Sequence, residues 1–90
     1  MEGAEGIEGR KVGKVTHYFT KIGVAVVELN GTLKVGDKIR IKGATSDFTQ
    51  TVESMQIEHQ PVEEAKAGQS IGLKVIEHAR EGDTVFKIVE

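Results

Sequence analysis

Along residues 11–90 apolar side chains recur at every second position, and Val, Ile and Thr, which favour a pleated and half-buried surface, supply much of the pattern. An all-β domain is predicted. Residues 12–19 (VGKVTHYF) read as a first strand and residues 23–29 (GVAVVEL) as a second, joined by Thr20, Lys21 and Ile22 into an antiparallel pair. Asn30-Gly31 follows at once. Both residues tolerate positive φ, so the dipeptide predicts a two-residue hairpin that returns through residues 32–35. Residues 37–42 then alternate without a break, Ile39 and Ile41 on one face and Lys38, Arg40 and Lys42 on the other.

After a loop at 43–47, the longest alternation runs from Phe48 to His59. Its inward face shifts from Val52 to Met55 and Ile57, which predicts a bulge or sharp bend near Glu53 and Ser54. Pro61 is expected to end this strand, and one helical turn is expected around Val62 to Ala65. Residues 69–75 and 84–89 supply the last two strands.

A short internal pattern punctuates these strands. KVGDKI from Lys34, KAGQSI from Lys66 and REGDTV from Arg80 share a basic residue, any residue, Gly, a polar residue, any residue and a β-branched one. Gly36, Gly68 and Gly82 are therefore predicted to take positive φ in tight turns that each launch a strand, with Asp37, Gln69 and Asp83 bonding nearby backbone. Six or seven short strands around one core predict a small closed antiparallel barrel, because closure removes exposed sheet edges.

Ninety residues allow one such core and no second. Residues 1–10 (MEGAEGIEGR) offer no face to bury and are expected to be a disordered Gly/Glu arm or the remnant of an expression vector's protease site. The barrel is assigned to residues 11–90. The absence of cysteine removes disulfides, thiolate metal sites and cysteine nucleophiles, and fits a reducing cytoplasm, the expected location. No apolar run is long enough to span a bilayer, so no membrane partner is expected. Fourteen acids against twelve bases give a net charge of −2, with eleven of each sign in residues 11–90. Nucleic-acid contact, if any, is then confined to a local patch.

Catalytic constellations are not evident. Gly13-Lys14 is followed by Val15 and preceded by Glu8 where a P-loop needs glycine, so nucleotide hydrolysis is not expected of this chain. His17, His59 and His78 lack the spacing of a zinc site, Ser46, Ser54 and Ser70 lack a nucleophile-elbow context, and Glu58, Glu63 and Glu64 read as a solvated turn. No catalytic residue, metal or cofactor is assigned. The stripe of Lys38, Arg40 and Lys42 is the local feature able to position phosphates, and it is equally the expected solvent face of a half-buried strand.

The order of LKVGDKI from Leu33, TVESMQ from Thr51 and PVEEAKAGQSIGL from Pro61 resembles the second domain of translational GTPases such as elongation factor Tu, over about residues 12–89. The chain is also similar to the barrel appended to collagenase-like peptidases linked to RNA modification. The resemblance implies a six-to-seven-stranded antiparallel barrel that is a non-catalytic module. It places Gln56 where the tRNA-binding members carry a Glu bordering an adenosine pocket, Glu58 where an aromatic often sits, and Ser70, Ile71, Gly72 and Leu73 on the opposite wall. The family's Gly-Arg pair closing the first hairpin is replaced by the run Val26-Val27-Glu28. Two readings follow. One is a translation-associated module binding a tRNA end, the ribosome or another ribonucleoprotein through Lys38, Arg40, Lys42, Gln56, Ser70, Ile71 and Gly72. The other is a protein-interaction module docking on a GTPase or RNA-modifying enzyme supplied in trans.

Overall fold

A computed structural model describes residues 10–88, so the arm expected at residues 1–9 and the last residue of the strand expected at 84–89 lie outside the described residues. Arg10 belongs to the first strand, where it pairs with Lys87. The strands in chain order are β1 (Arg10–Phe19), β2 (Val24–Leu29), β3 (Leu33–Lys34), β4 (Lys38–Lys42), β5 (Asp47–Thr51), β6 (Met55–Ile57), β7 (Gln60–Val62), β8 (Glu64–Ala65), β9 (Ser70–Lys74) and β10 (Thr84–Lys87). They form one antiparallel sheet in the order β5-β4-β10-β1-β2-β9-β6-β7 and a two-stranded sheet of β3 and β8. Among the described residues there is no helix. Inward residues from all parts of the large sheet, including Val15, Val27, Ile41, Leu73 and Val85, meet in one buried cluster, so the sheet curls around them.

The fold is all-β as expected, but the ladder of a closed six-to-seven-stranded barrel is not formed, because β5 and β7 are sheet ends that do not pair with each other. The reason lies at the expected bend. The chain leaves the strand conformation at Val52 to Ser54, so β5 stays beside β4 while β6 crosses to pair with β9. Where β5 faces the end of β9, a side chain stands in for the ladder. The Gln50 amide nitrogen donates to the Lys74 carbonyl at 2.9 Å, and its oxygen accepts from the Ile76 N–H at 2.9 Å.

The three repeated turns are built alike. Gly36, Gly68 and Gly82 have φ of 99°, 92° and 93°. In each turn the residue after glycine donates its N–H to the carbonyl three residues back, Asp37 to Lys34, Gln69 to Lys66 and Asp83 to Arg80, each at 3.1 Å. Its side-chain oxygen then accepts the N–H of that same residue at 2.8 to 2.9 Å, so both backbone groups are satisfied. The glycine N–H groups reach other parts of the chain, donating to Val52, Leu29 and Val15 carbonyls. Each turn thus launches β4, β9 or β10 and pins it to the sheet.

Three local expectations fail. Asn30 and Gly31 do not take positive φ and make no hairpin; the Asn30 N–H donates to the Val12 carbonyl at 2.8 Å, extending the β1–β2 pairing, and Leu33 pairs with Ala65 instead. The helical turn expected around Val62 to Ala65 is replaced by the end of β7 and by β8, held by the Val35 N–H donating to the Glu63 carbonyl at 2.9 Å. Pro61 does not end a strand but sits inside β7, opposite Gln56 at the sheet edge, where its missing N–H breaks no inner ladder.

Candidate functional site

The outer surface of the sheet is organised by register, because residues directly opposite across an antiparallel pair share a face. A register shift between Val15 and His17 rotates the end of β1, placing His17 opposite Val26 and Phe19 opposite Val24 on the outer face while Tyr18 packs against the core. Continuing across the sheet, Val26 lies opposite Gly72, and Gly72 opposite Gln56. The row from His17 through Val26 and Gly72 to Gln56 therefore crosses four strands.

At this row lies an open groove of about 360 Å³. Phe19, Ile22, Val24 and Val26 line one side, Gln56, Glu58 and His59 the other, with Ser70, Ile71 and Gly72 between them. Gly72 makes the depression: a Cβ there would lie 3.4 Å from a Val24 methyl, and without one the floor is bare backbone. The structure thus brings Gln56, Ser70, Ile71 and Gly72 together. Ile71 contributes main chain alone, since its side chain is buried in the core. Glu58 and His59 form the β6–β7 turn with φ of 52° and 67°, the two-residue hairpin geometry that normally selects Asn and Gly.

Lys38, Arg40 and Lys42 stand elsewhere, on the outer face of β4 with Ile39 and Ile41 buried behind them. Arg40 is clamped by Asp47, its Nε donating to Oδ1 at 2.8 Å and an Nη to Oδ2 at 2.9 Å. That hydrogen bonding, with the charges of Arg40 and Lys42, outweighs desolvation and holds the Asp47 carboxyl below the usual aspartate range. The stripe and the groove are therefore separate surfaces.

His17 and His78 make side-chain contacts of ordinary surface type. His17 Nδ1 lies 3.2 Å from Glu81 Oε2 with both side chains more than half exposed, and its ring meets Phe19 edge-on at 4.5 Å. The His78 ring lies tilted against Tyr18, centroids 4.5 Å apart. An exposed pair such as His17 and Glu81 is screened by water and does not polarise a nucleophile the way a buried one does. Among the described residues no group of three His, Cys, Asp or Glu side chains is placed to hold a metal ion. Among the described residues no helix is long and apolar enough to cross a membrane.

Sequence reasoning missed the apolar side of the groove. Val24 and Val26 carry the signature of a buried strand residue, and the outward turn of Phe19 depends on a bulge that alternation alone does not announce.

Comparison with known proteins gives both fold and kinship. Residues 24–86 match the family model described as elongation factor Tu domain 2. An uncharacterized protease of Methanocaldococcus jannaschii is 42% identical over 81 residues, which are 89% of this chain and 20% of that protein. A collagenase of Porphyromonas gingivalis is 41% identical over 78 residues, 84% of this chain and 22% of its own length. The chain thus spans about a fifth of the curated relatives it matches. Among solved structures, the C-terminal domain of a Geobacillus thermoleovorans protein described as a U32 peptidase superposes with a TM-score of 0.83 at 23% identity, covering 87% of this chain and 99% of that domain. A bacterial selenocysteine-specific elongation factor superposes at 0.69 and 20% identity, covering 97% of this chain and 16% of that one, which shows shared fold alone. These relatives overturn the expectation of a translation-factor module binding RNA, because the kinship in sequence runs to a protease and a collagenase. The likeness to translation factors holds for the domain family and its fold.

Proposed function

This chain belongs to the elongation factor Tu domain 2 family, and from that premise and its protease relatives we propose that it is a non-catalytic accessory domain of the U32-peptidase type. The observation that carries this reading is the extent of the match to the M. jannaschii protease: the identity covers nearly all of this chain yet a fifth of that protein. What is shared is one small part of a much longer polypeptide, and a domain of the same fold was solved alone as a C-terminal domain. The site chemistry agrees, because an open, largely apolar groove without a nucleophile–base pair suits binding better than bond cleavage. In this reading the curled sheet acts as the family's barrel, its last gap spanned by the Gln50 amide.

Two measurements test it. Labelled casein and gelatin incubated with the purified chain should show no hydrolysis above buffer, whereas turnover that survives repurification would overturn the non-catalytic assignment. Antibody to the chain, used on extracts of the cells that make it, should recover a U32-family body, either on the same polypeptide or as a bound partner. Recovery without any such body would overturn the accessory assignment.

A further inference from the structure

The outer face of β2 departs from the pattern of β4. On β4 the inward isoleucines alternate with Lys38, Arg40 and Lys42, but on β2 the residues that alternate with buried Ala25, Val27 and Leu29 begin with Val24 and Val26. Phe19, 45% exposed, lies beside Val24 across the strand pair, and Ile22, 57% exposed, extends the patch at the turn. Gly72 adds no side chain, so the patch sinks into a groove with room for inserted side chains. Contiguous hydrocarbon of this kind on an outer sheet face marks a contact surface.

The charges nearby favour a packed protein surface as the occupant. The Lys74 ammonium already donates to the Ile22 carbonyl at 2.8 Å, and Glu58 stands on the far side of the groove. The apolar wall can therefore be dried without stripping Lys74 of its partner, and the wall's own side chains, Phe19, Ile22, Val24 and Val26, carry no charge to hold a polyanion. The curated relatives supply the candidate, since most of their length lies outside the part that matches this chain.

Resting on the accessory-domain reading above, we propose that the groove bounded by Phe19, Ile22, Val24 and Gly72 is the seat of the larger U32-peptidase-type body, which inserts apolar side chains into it. Phe19 and Ile22 are the anchors. Gln56 and Ser70 supply polar contacts at the rim, which fix orientation.

The test is site-specific photo-crosslinking with the full chain. Ile22→p-benzoylphenylalanine is added to extract of the cells that make the protein, irradiated, and its adducts are identified by mass spectrometry. Thr49→p-benzoylphenylalanine, on the exposed outer face of β5, is the comparison. The expected result is a U32-family adduct at least tenfold more abundant from position 22, lost when Phe19→Asp is added while the melting temperature stays unchanged. Equal yield from both positions, or yield from position 49 alone, would overturn the groove assignment and leave the accessory reading standing. Failure to form a U32-family adduct from either position would overturn the groove assignment, while the accessory reading stands or falls on the antibody recovery. Adducts from position 22 to nucleic acid or to an unrelated protein would equally overturn the seat.

Discussion

At the scale of single residues, Gln50 shows how a polar group earns a place in an apolar row. Its neighbours in the alternation, Phe48 and Val52, are buried, and Gln50 is buried with them at 9% exposure. Both ends of its amide are used, one by the Lys74 carbonyl and the other by the Ile76 N–H. Gln50→Leu keeps the bulk and strands two backbone groups, a change expected to cost about 2–4 kcal/mol in urea-induced unfolding. A loss below about 0.5 kcal/mol would mean that water replaces the amide and that the gap is not held by it. Asp47 makes a second, electrostatic prediction. Its folded pKa lies below the unfolded one, so the stability it contributes is full above the unfolded value, near pH 4, and is lost as pH falls through the folded value. Asp47→Asn should therefore make the acid limb of a stability-versus-pH curve shallower, by the small amount expected of an exposed pair. An unchanged acid limb would show that the clamp does not differ between folded and unfolded chains.

At the scale of elements, legibility followed how much of an element's geometry is local. The three Lys/Arg-x-Gly-polar turns were readable because their requirement, positive φ plus an adjacent side-chain acceptor, is met within four residues. The alternation of β4 and the break near Glu53 and Ser54 were readable for the same reason. Asn30-Gly31 misled because a distant carbonyl, that of Val12, captures the Asn30 N–H and carries the chain past the turn. The converse occurs at Glu58 and His59, where pairing of Met55 with Val62 and Ile57 with Gln60 imposes a tight turn on residues that do not prefer it. Half of the candidate site was visible in this way: Gln56 and the Ser70 to Gly72 segment were found from motif likeness, whereas the apolar wall required the β1 bulge. Positive φ at an ordinary residue costs roughly 1 kcal/mol, so replacing Glu58-His59 with Asn-Gly should raise stability by about 1–2 kcal/mol. Thermal melting checks it, and destabilisation would show that these side chains hold the groove edge more than the backbone resists them.

For the whole molecule, the question is how a sheet of eight strands protects its two unpaired ends. Its middle strands, β10, β1, β2 and β9, are paired on both sides and contribute Val15, Val27, Leu73 and Val85 to the core. Its ends are protected differently. The β7 edge is three residues long and carries Pro61, while the β5 edge lies next to the Gln50 link. Local opening should begin where few ladders must break, so hydrogen exchange is expected to be slowest in β1 and β2 and faster in β7 and the β3–β8 pair. In Gln50→Leu the exchange of β5 should accelerate well beyond that of β1 and β2, because the link that the substitution removes joins β5 to the last residue of β9 and to Ile76 rather than to β1 or β2. Equal acceleration in all strands would mean that the sheet opens only as a unit and that Gln50 stabilises the whole curl. Acceleration confined to β5 would instead show an edge held shut by one side chain, with the groove between β2 and β6 independent of it.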